Sequence, residues 1–198
     1  ADLAGMAISS ALAVFWVRSI RWNRAFMMAG AIFLIGNLLS ALSSDIAFLV
    51  PVRFIAGLGG GALMAVALAC LSDTRSPERQ FGLMMVGQGL VAALVLWQLP
   101  LFVSHFGVRG VFVMLTGLAV LAISLGYKFP TGGKDYSTTP SADIGIFLPT
   151  ILALVAVFIY FVAQGGVWAF AERLGAVSGI PANAIGQWLG LAQITGIM

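Results

Sequence analysis

The chain has 198 residues, 61% of them hydrophobic and 9% charged, with a net charge of +3 and a mean hydropathy of +1.05. Ordinary soluble domains carry roughly 25% charged residues, so a water-soluble globule is excluded and the solvent of this chain is a bilayer. A single cysteine and a single histidine exclude an intramolecular disulfide and multi-cysteine or multi-histidine metal chemistry, and no basic stripe interleaved with aromatics points to nucleic acid.

Apolar residues come in blocks that approach the ~20 residues of a membrane-spanning helix. The first block, Ala4 to Val17, looks cut short and is followed by Arg18, Arg21 and Arg24. A second runs from Ala25 to Leu42 and carries Asn37; the short "SSD" of Ser43 to Asp45 joins it to a third, Ala47 to Leu71. That third block is apolar or glycine apart from Arg53, and its Gly57 and Gly61 form a G-x-x-x-G spacing among Gly59 and Gly60. Such small residues let helix backbones approach closely in lipid. They serve either as packing positions or as surfaces on which helices slide and rock.

Arg75 and Arg79 precede the fourth block, Phe81 to Val103, in which Gly82, Gly87 and Gly89 repeat the small-residue theme. Gln88 lies deep enough in this block to line a cavity, whereas Trp97 and Gln98 read as interfacial. After "SHFGVRG" the fifth block covers Val111 to Leu125. The stretch "FPTGGKDYSTTPSAD", Phe129 to Asp143, has no apolar period and reads as a flexible linker with no core to join. Beyond it lie Ile144 to Ala171 and a last block from Ile185 to Met198. The chain begins inside a helical pattern and stops in mid-pattern, so a piece of a longer protein is expected, without a removable signal peptide. Lys and Arg favour short cytoplasmic loops. The connections after the first, third and fifth helices hold seven of the ten basic residues and are therefore expected on the cytoplasmic side, with short links packing successive helices side by side.

These residues resemble the major facilitator superfamily of secondary transporters. "VRFIAGLGGGAL" is similar to the family's fourth-helix motif through Arg53 and Gly57, and "DTRSPERQFG" to the following cytoplasmic link through Asp73, Pro77, Arg79 and Gly82. The loop "AVFWVRSIRWN" departs from the family pattern: Ala13, Val17 and Ile20 stand where glycine, aspartate and glycine are usual, and Arg18 and Arg21 keep only the positive charge. Asp73 remains able to face either arginine. The fifth family helix also lacks the glycine-proline and paired glycines of many proton-driven drug exporters. The resemblance implies an all-α polytopic bundle of about seven membrane helices, the last truncated. Residues 1–128 would be family helices 2 to 6, residues 129–143 the cytoplasmic linker and residues 144–198 helices 7 and 8.

It further implies alternating access around a central site. Arg53 is the leading candidate: it would neutralise an anionic substrate, pair with a carboxylate from a helix outside the chain, or snorkel to the outer headgroups. In "YFVAQGGVWAFAER", Gln164 and Trp168 share a helical face, and the Gly165–Gly166 pair is a place for a bend or unwinding. Trp168 equally suits an interfacial aromatic belt. Gln88, Gln164 and Trp168 join Arg53 as translocation candidates. Gly57, Gly61, Gly165 and Gly166 are the conformational or packing positions, and Arg18, Arg21, Asp73 and Arg79 the cytoplasmic charges. The place of Asp2, within the membrane or at its rim, stays open. Expected partners are a small-molecule solute, the lipid bilayer and, where transport is ion-driven, a proton or ion. No cofactor or metal is expected, nor nucleic acid; the protein is expected to be a monomer in a plasma membrane, with a bacterial inner membrane favoured. An integral membrane enzyme acting on lipid, or a non-transporting subunit of a membrane assembly, are the alternatives; the enzyme would need a His, Asp or Glu cluster at a membrane face. The acidic pair Asp73 and Glu78 is instead interleaved with Arg75 and Arg79.

The topology has a direct check. Protease added to inverted vesicles should cut within residues 129–143, and right-side-out vesicles should be protected; the opposite pattern reverses the orientation.

Overall fold

The computed structural model describes residues 1–43, 45–126, 128–132 and 144–195; the side chains of Gln164, Trp168 and some others in the later helices lie outside the described residues. Seven helices are described: α1 Asp2–Trp16, α2 Trp22–Leu42, α3 Ile46–Ser72, α4 Pro77–Phe106, α5 Val108–Gly126, α6 Ile144–Val177 and α7 Ala182–Thr195. No strand occurs among the described residues, and the architecture is an all-α helical bundle. Each described helix is built on one of the apolar blocks, because in lipid every backbone N–H and C=O has to be satisfied within its own segment. Among the described residues four stretches, α2, α3, α4 and Arg109–Gly126 of α5, are long and apolar enough to cross a bilayer.

Local chemistry sets the ends. Asp45 caps α3 by accepting a hydrogen bond from the backbone N–H of Ala47 at 3.0 Å, which satisfies one of the orphan donors of a first turn. Pro77 opens α4 at a position where its missing N–H costs nothing. Gly107, at a φ of 62°, turns the chain from α4 directly into α5, a conformation that favours glycine. The polar stretches expected as loops are partly helical: Ser104 and His105 close α4, and Glu172 to Val177 extend α6. A helix consumes polar residues at its ends where they meet the headgroups, so an apolar-block boundary falls short of the helix boundary.

The order of packing corrects a second expectation. Successive helices do not all lie side by side: α1 packs on α3 instead of α2, and α3 barely touches α4. Helix α3 sits between α1 and α2, α5 leans on the far side of α2, and α4 rests on α5 and α7. Glycines decide this arrangement. Gly57 and Gly61 lie against the carbonyls of Asp2 and Met6, so α1 and α3 run in the same direction at close range. On the other side of α3, a Cβ at Gly59 would stand 2.8 Å from the carbonyl of Ala29, and Gly36 of α2 meets Ala56. Gly82 and Gly87, expected to repeat the theme, have no atom near a would-be Cβ and pack against nothing among the described residues.

One end of the bundle closes on a hydrophobic cluster of Trp22, Ala25 and Val66, flanked by Trp16, Phe26, Ala69 and Cys70. Trp22 donates its indole N–H to the carbonyl of Val17 at 2.7 Å, tying the start of α2 to the end of α1. Phe129, expected to begin a linker without a core, packs here too: its ring stacks on Phe26 with centroids 4.5 Å apart. The contacts of the bundle thus reach into the first residue of the linker, because an aromatic ring finds a partner where its flanking Gly and Pro do not. Residues 133–143 of that linker lie outside the described residues.

The close approach predicts opposite outcomes for two glycines. Gly61→Ala places a Cβ 2.5 Å from the Met6 carbonyl oxygen and should destabilise the protein by about 1–3 kcal/mol. Gly87→Ala meets no atom within 4 Å and should be neutral or stabilising by up to about 1 kcal/mol. Thermal unfolding in detergent measures both.

Candidate functional site

Arg53 lies about two turns into α3, and its side chain is only 15% exposed. A guanidinium in this setting demands compensation, since an unpaired charge among apolar helices costs at least about 2.5 kcal/mol. Three helices supply it. Nη2 donates to the Asp2 carboxylate of α1, and Nη1 donates to Oδ1 of Asn37 on α2 at 2.8 Å. The Phe112 ring of α5 lies beneath the guanidinium, with its centroid 5.3 Å from the Arg53 Cζ. Arg53 therefore turns into the bundle instead of snorkelling. Its carboxylate partner among the described residues is Asp2 of α1.

Asn37 is fully buried and held at both ends. Its Nδ2 donates to the carbonyl of Phe33 at 2.8 Å, which leaves Oδ1 aimed at Arg53. Ser40, one turn on, is also buried and donates to the Gly36 carbonyl at 2.7 Å. Asp2 is less complete: one of its oxygens, Oδ1, is buried and has no hydrogen-bond partner among the described residues. The cluster thus combines a net-neutral ion pair, an oriented amide, an aromatic face and one unused acceptor.

At the opposite end of α1 and α3 the charges are exchanged. Nη1 of Arg18, just past α1, spans both Asp73 oxygens at 3.1 and 3.0 Å, and Asp73 closes α3. The parallel run of the two helices makes this possible, since it brings head to head and tail to tail. Arg18 is half exposed, which keeps the worth of the pair to about 0–1 kcal/mol. Arg21 precedes α2 and Arg79 lies in the first turn of α4; both are exposed and neither forms an ion pair among the described residues.

The remaining candidates are not gathered around Arg53. Gln88 is exposed on α4 and makes no hydrogen bond among the described residues. The α6 helix runs unbroken through Gly165 and Gly166, so the unwinding considered for that pair is absent; both glycines are exposed with no atom near a would-be Cβ. The expectations on Gln164 and Trp168 fall on side chains outside the described residues. A cleft of about 110 Å³ between α4 and α7 is lined by Leu96, Pro100, Ile185, Gly186 and other apolar residues, and it offers no side chain that could orient a polar solute. Among the described residues no three His, Cys, Asp or Glu side chains gather into a metal-binding group. Sequence reasoning missed the roles of Asp2, Asn37 and Phe112. Asn37 had a signal, a lone amide in an apolar helix; Phe112 had none.

Comparison with known proteins adds a class. No protein-family model matches the chain. It is 26% identical to multidrug resistance protein 3 of Bacillus subtilis, over 94% of this chain and 43% of that protein. It is 27% identical to the riboflavin transporter RibZ of Clostridioides difficile, over 54% of this chain and 24% of that one. To the 4-hydroxybenzoate transporter PcaK of Pseudomonas aeruginosa it is 33% identical, over 58% of this chain and 27% of that one. The chain thus spans less than half the length of these relatives. The relatives are transporters of the major facilitator type, the family that the Arg53 and Asp73 motifs resemble, and not enzymes. Apolar helices and transporter relatives together make the chain a multi-pass integral membrane protein.

The ion pair makes a prediction of its own. Asp2→Ala leaves the Arg53 charge without its carboxylate and should cost roughly 1–3 kcal/mol, with the partial exposure of Asp2 placing it below the range of fully buried pairs. The double variant Asp2→Ala/Arg53→Met removes both charges and should recover most of that loss. A double-mutant cycle by thermal unfolding in detergent reads the difference, and additive losses would deny the pairing.

Proposed function

We propose that the full-length protein is a secondary active transporter that carries a small organic solute across a plasma membrane by alternating access, and that Arg53 lies on the solute's route. The observation that carries this reading is the Arg53 cluster: an ionisable side chain within an apolar bundle, turned inward and held by groups from three other helices. Intramembrane charges of this kind mark solute and ion pathways. The names of the relatives, which speak of multidrug resistance, riboflavin and 4-hydroxybenzoate, support an organic solute.

In this reading residues 1–128 form part of a first six-helix bundle, residues 129–143 link it on the cytoplasmic side, and residues 144–198 begin a second bundle. Gln88, Gln164 and Trp168 belong to faces that meet across the cavity between the two. Gln88 is exposed in the present structure, which suits a position on a cavity wall completed by other helices. Gly165 and Gly166 give α6 a small-residue segment that can bend during the exchange. Arg21 and Arg79, with the Arg18–Asp73 pair, are the cytoplasmic charges. The protein works as a monomer, with a proton or ion as the coupling partner.

Purified full-length protein in proteoliposomes should show solute-specific counterflow within a panel built on riboflavin, 4-hydroxybenzoate and cationic drugs. Arg53→Ala should lower that counterflow at least about tenfold, the equivalent of losing a hydrogen bond to a charged group, while membrane insertion stays intact. Full activity in Arg53→Ala would remove the residue from the route, and no counterflow for any solute would count against the transporter reading.

A further inference from the structure

The Arg53 cluster has an unspent half on each side. A guanidinium carries five N–H donors, and two hydrogen bonds engage that of Arg53, one to Asn37 and one to Asp2. The Asp2 carboxylate uses Oδ2 on Arg53, while Oδ1, the buried oxygen of a side chain that is 38% exposed overall, has no hydrogen-bond partner among the described residues. A buried acceptor without a donor is unfavourable. Asn37 cannot turn to relieve it, because its N–H₂ group is already committed to the Phe33 carbonyl.

The ion pair also settles which charge is welcome. An anion approaching Arg53 meets the Asp2 carboxylate already in place, and a cation approaching Asp2 meets the Arg53 guanidinium. The pair is net neutral, so neither sign gains much, and a neutral group that donates a hydrogen bond to Oδ1 gains the missing contact. Phe112, packed against the guanidinium, adds an aromatic face. We infer that Asp2 Oδ1 and Arg53 form a recognition site for the hydroxyl of a neutral, hydroxyl-bearing solute, with Asp2 as the specificity-determining acceptor. This rests on the transporter reading and departs from the expectation that Arg53 alone would neutralise an anionic substrate.

Sites built to hydrogen-bond a hydroxyl discriminate strongly against analogues that lack one, because the buried partner is then left bare. The probes are benzyl alcohol, acetophenone and benzoate, which share a ring and present a donor, a pure acceptor and an anion. Saturation-transfer NMR on the full-length protein in nanodiscs measures half-saturation for each, and subtracting the signal of empty nanodiscs of the same lipid removes partitioning into lipid. In wild type, benzyl alcohol should half-saturate at a concentration at least tenfold below acetophenone and benzoate. Asp2→Asn keeps an oxygen for Arg53 and presents N–H₂ where Oδ1 stood, so acetophenone should gain and the order of the two neutral probes should invert; Asp2→Glu should keep the wild-type order. Where Asp2→Asn does not fold, the uncharged pair Asp2→Asn/Arg53→Gln replaces it with the same expected inversion. An unchanged order between wild type and variant, a wild-type preference for benzoate, or no Asp2-dependent binding of any probe overturns the inference. Counterflow persisting alongside such a result would leave the transporter reading standing and remove this site alone.

Discussion

A guanidinium within an apolar bundle has to be compensated where it stands, and much of this structure follows from that requirement. Arg53 is reached by Asp2 only because α1 lies almost backbone to backbone on α3, and that approach depends on Gly57 and Gly61 lacking a Cβ. Asn37 completes the set from the other side of α3, where Gly36 and Gly59 allow α2 an equally close approach. The glycine run and the arginine are thus two parts of one solution. A larger side chain at Gly57 would push away the Asp2 backbone and the carboxylate with it.

The same geometry has a second consequence at the other end of the helices. A parallel pair with aspartate in the first turn of α1 and arginine in α3 carries the reverse at its far end, Arg18 on Asp73. The two ion pairs, with glycine contacts between them, make α1 and α3 a single unit, which favours the packing reading of Gly57 and Gly61 over sliding at this interface. Freedom lies elsewhere. Helix α4 barely touches α3, its Gly82 and Gly87 face open space, and it rests on α5 and α7 instead. The alternating access proposed above needs rigid groups and looser seams between them, and the sparsely packed α3–α4 seam suits the second role.

The helices were legible because lipid leaves the backbone few alternatives, so apolar blocks translate almost directly into helices. Their ends were less so: the last turns of α4 and α6 are built from polar residues that read as loops. Helix order in space was misread because short links suggest neighbours, whereas the deciding contacts are between residues such as Gly61 and Met6, far apart in sequence. Arg53 stood out as a lone charge, and Asn37 as a lone amide. Their connection did not, because no local pattern tells which faces of α1, α2 and α5 turn toward α3. Asp2 was obscured by its place at the very start of the chain, and Phe112 by the ordinariness of a phenylalanine in an apolar helix.

The central claim is that the Arg53 cluster lies on a route opened in turn to each side of the membrane. The most direct measurement places a single cysteine at Phe112, beside Arg53, with Cys70 and any cysteine beyond this chain replaced, and labels it with a membrane-impermeant thiol reagent. Labelling should occur in both right-side-out and inverted vesicles, and a transported solute should slow it from either side. Labelling from one side only, indifferent to solute, or none from either side, would contradict the account.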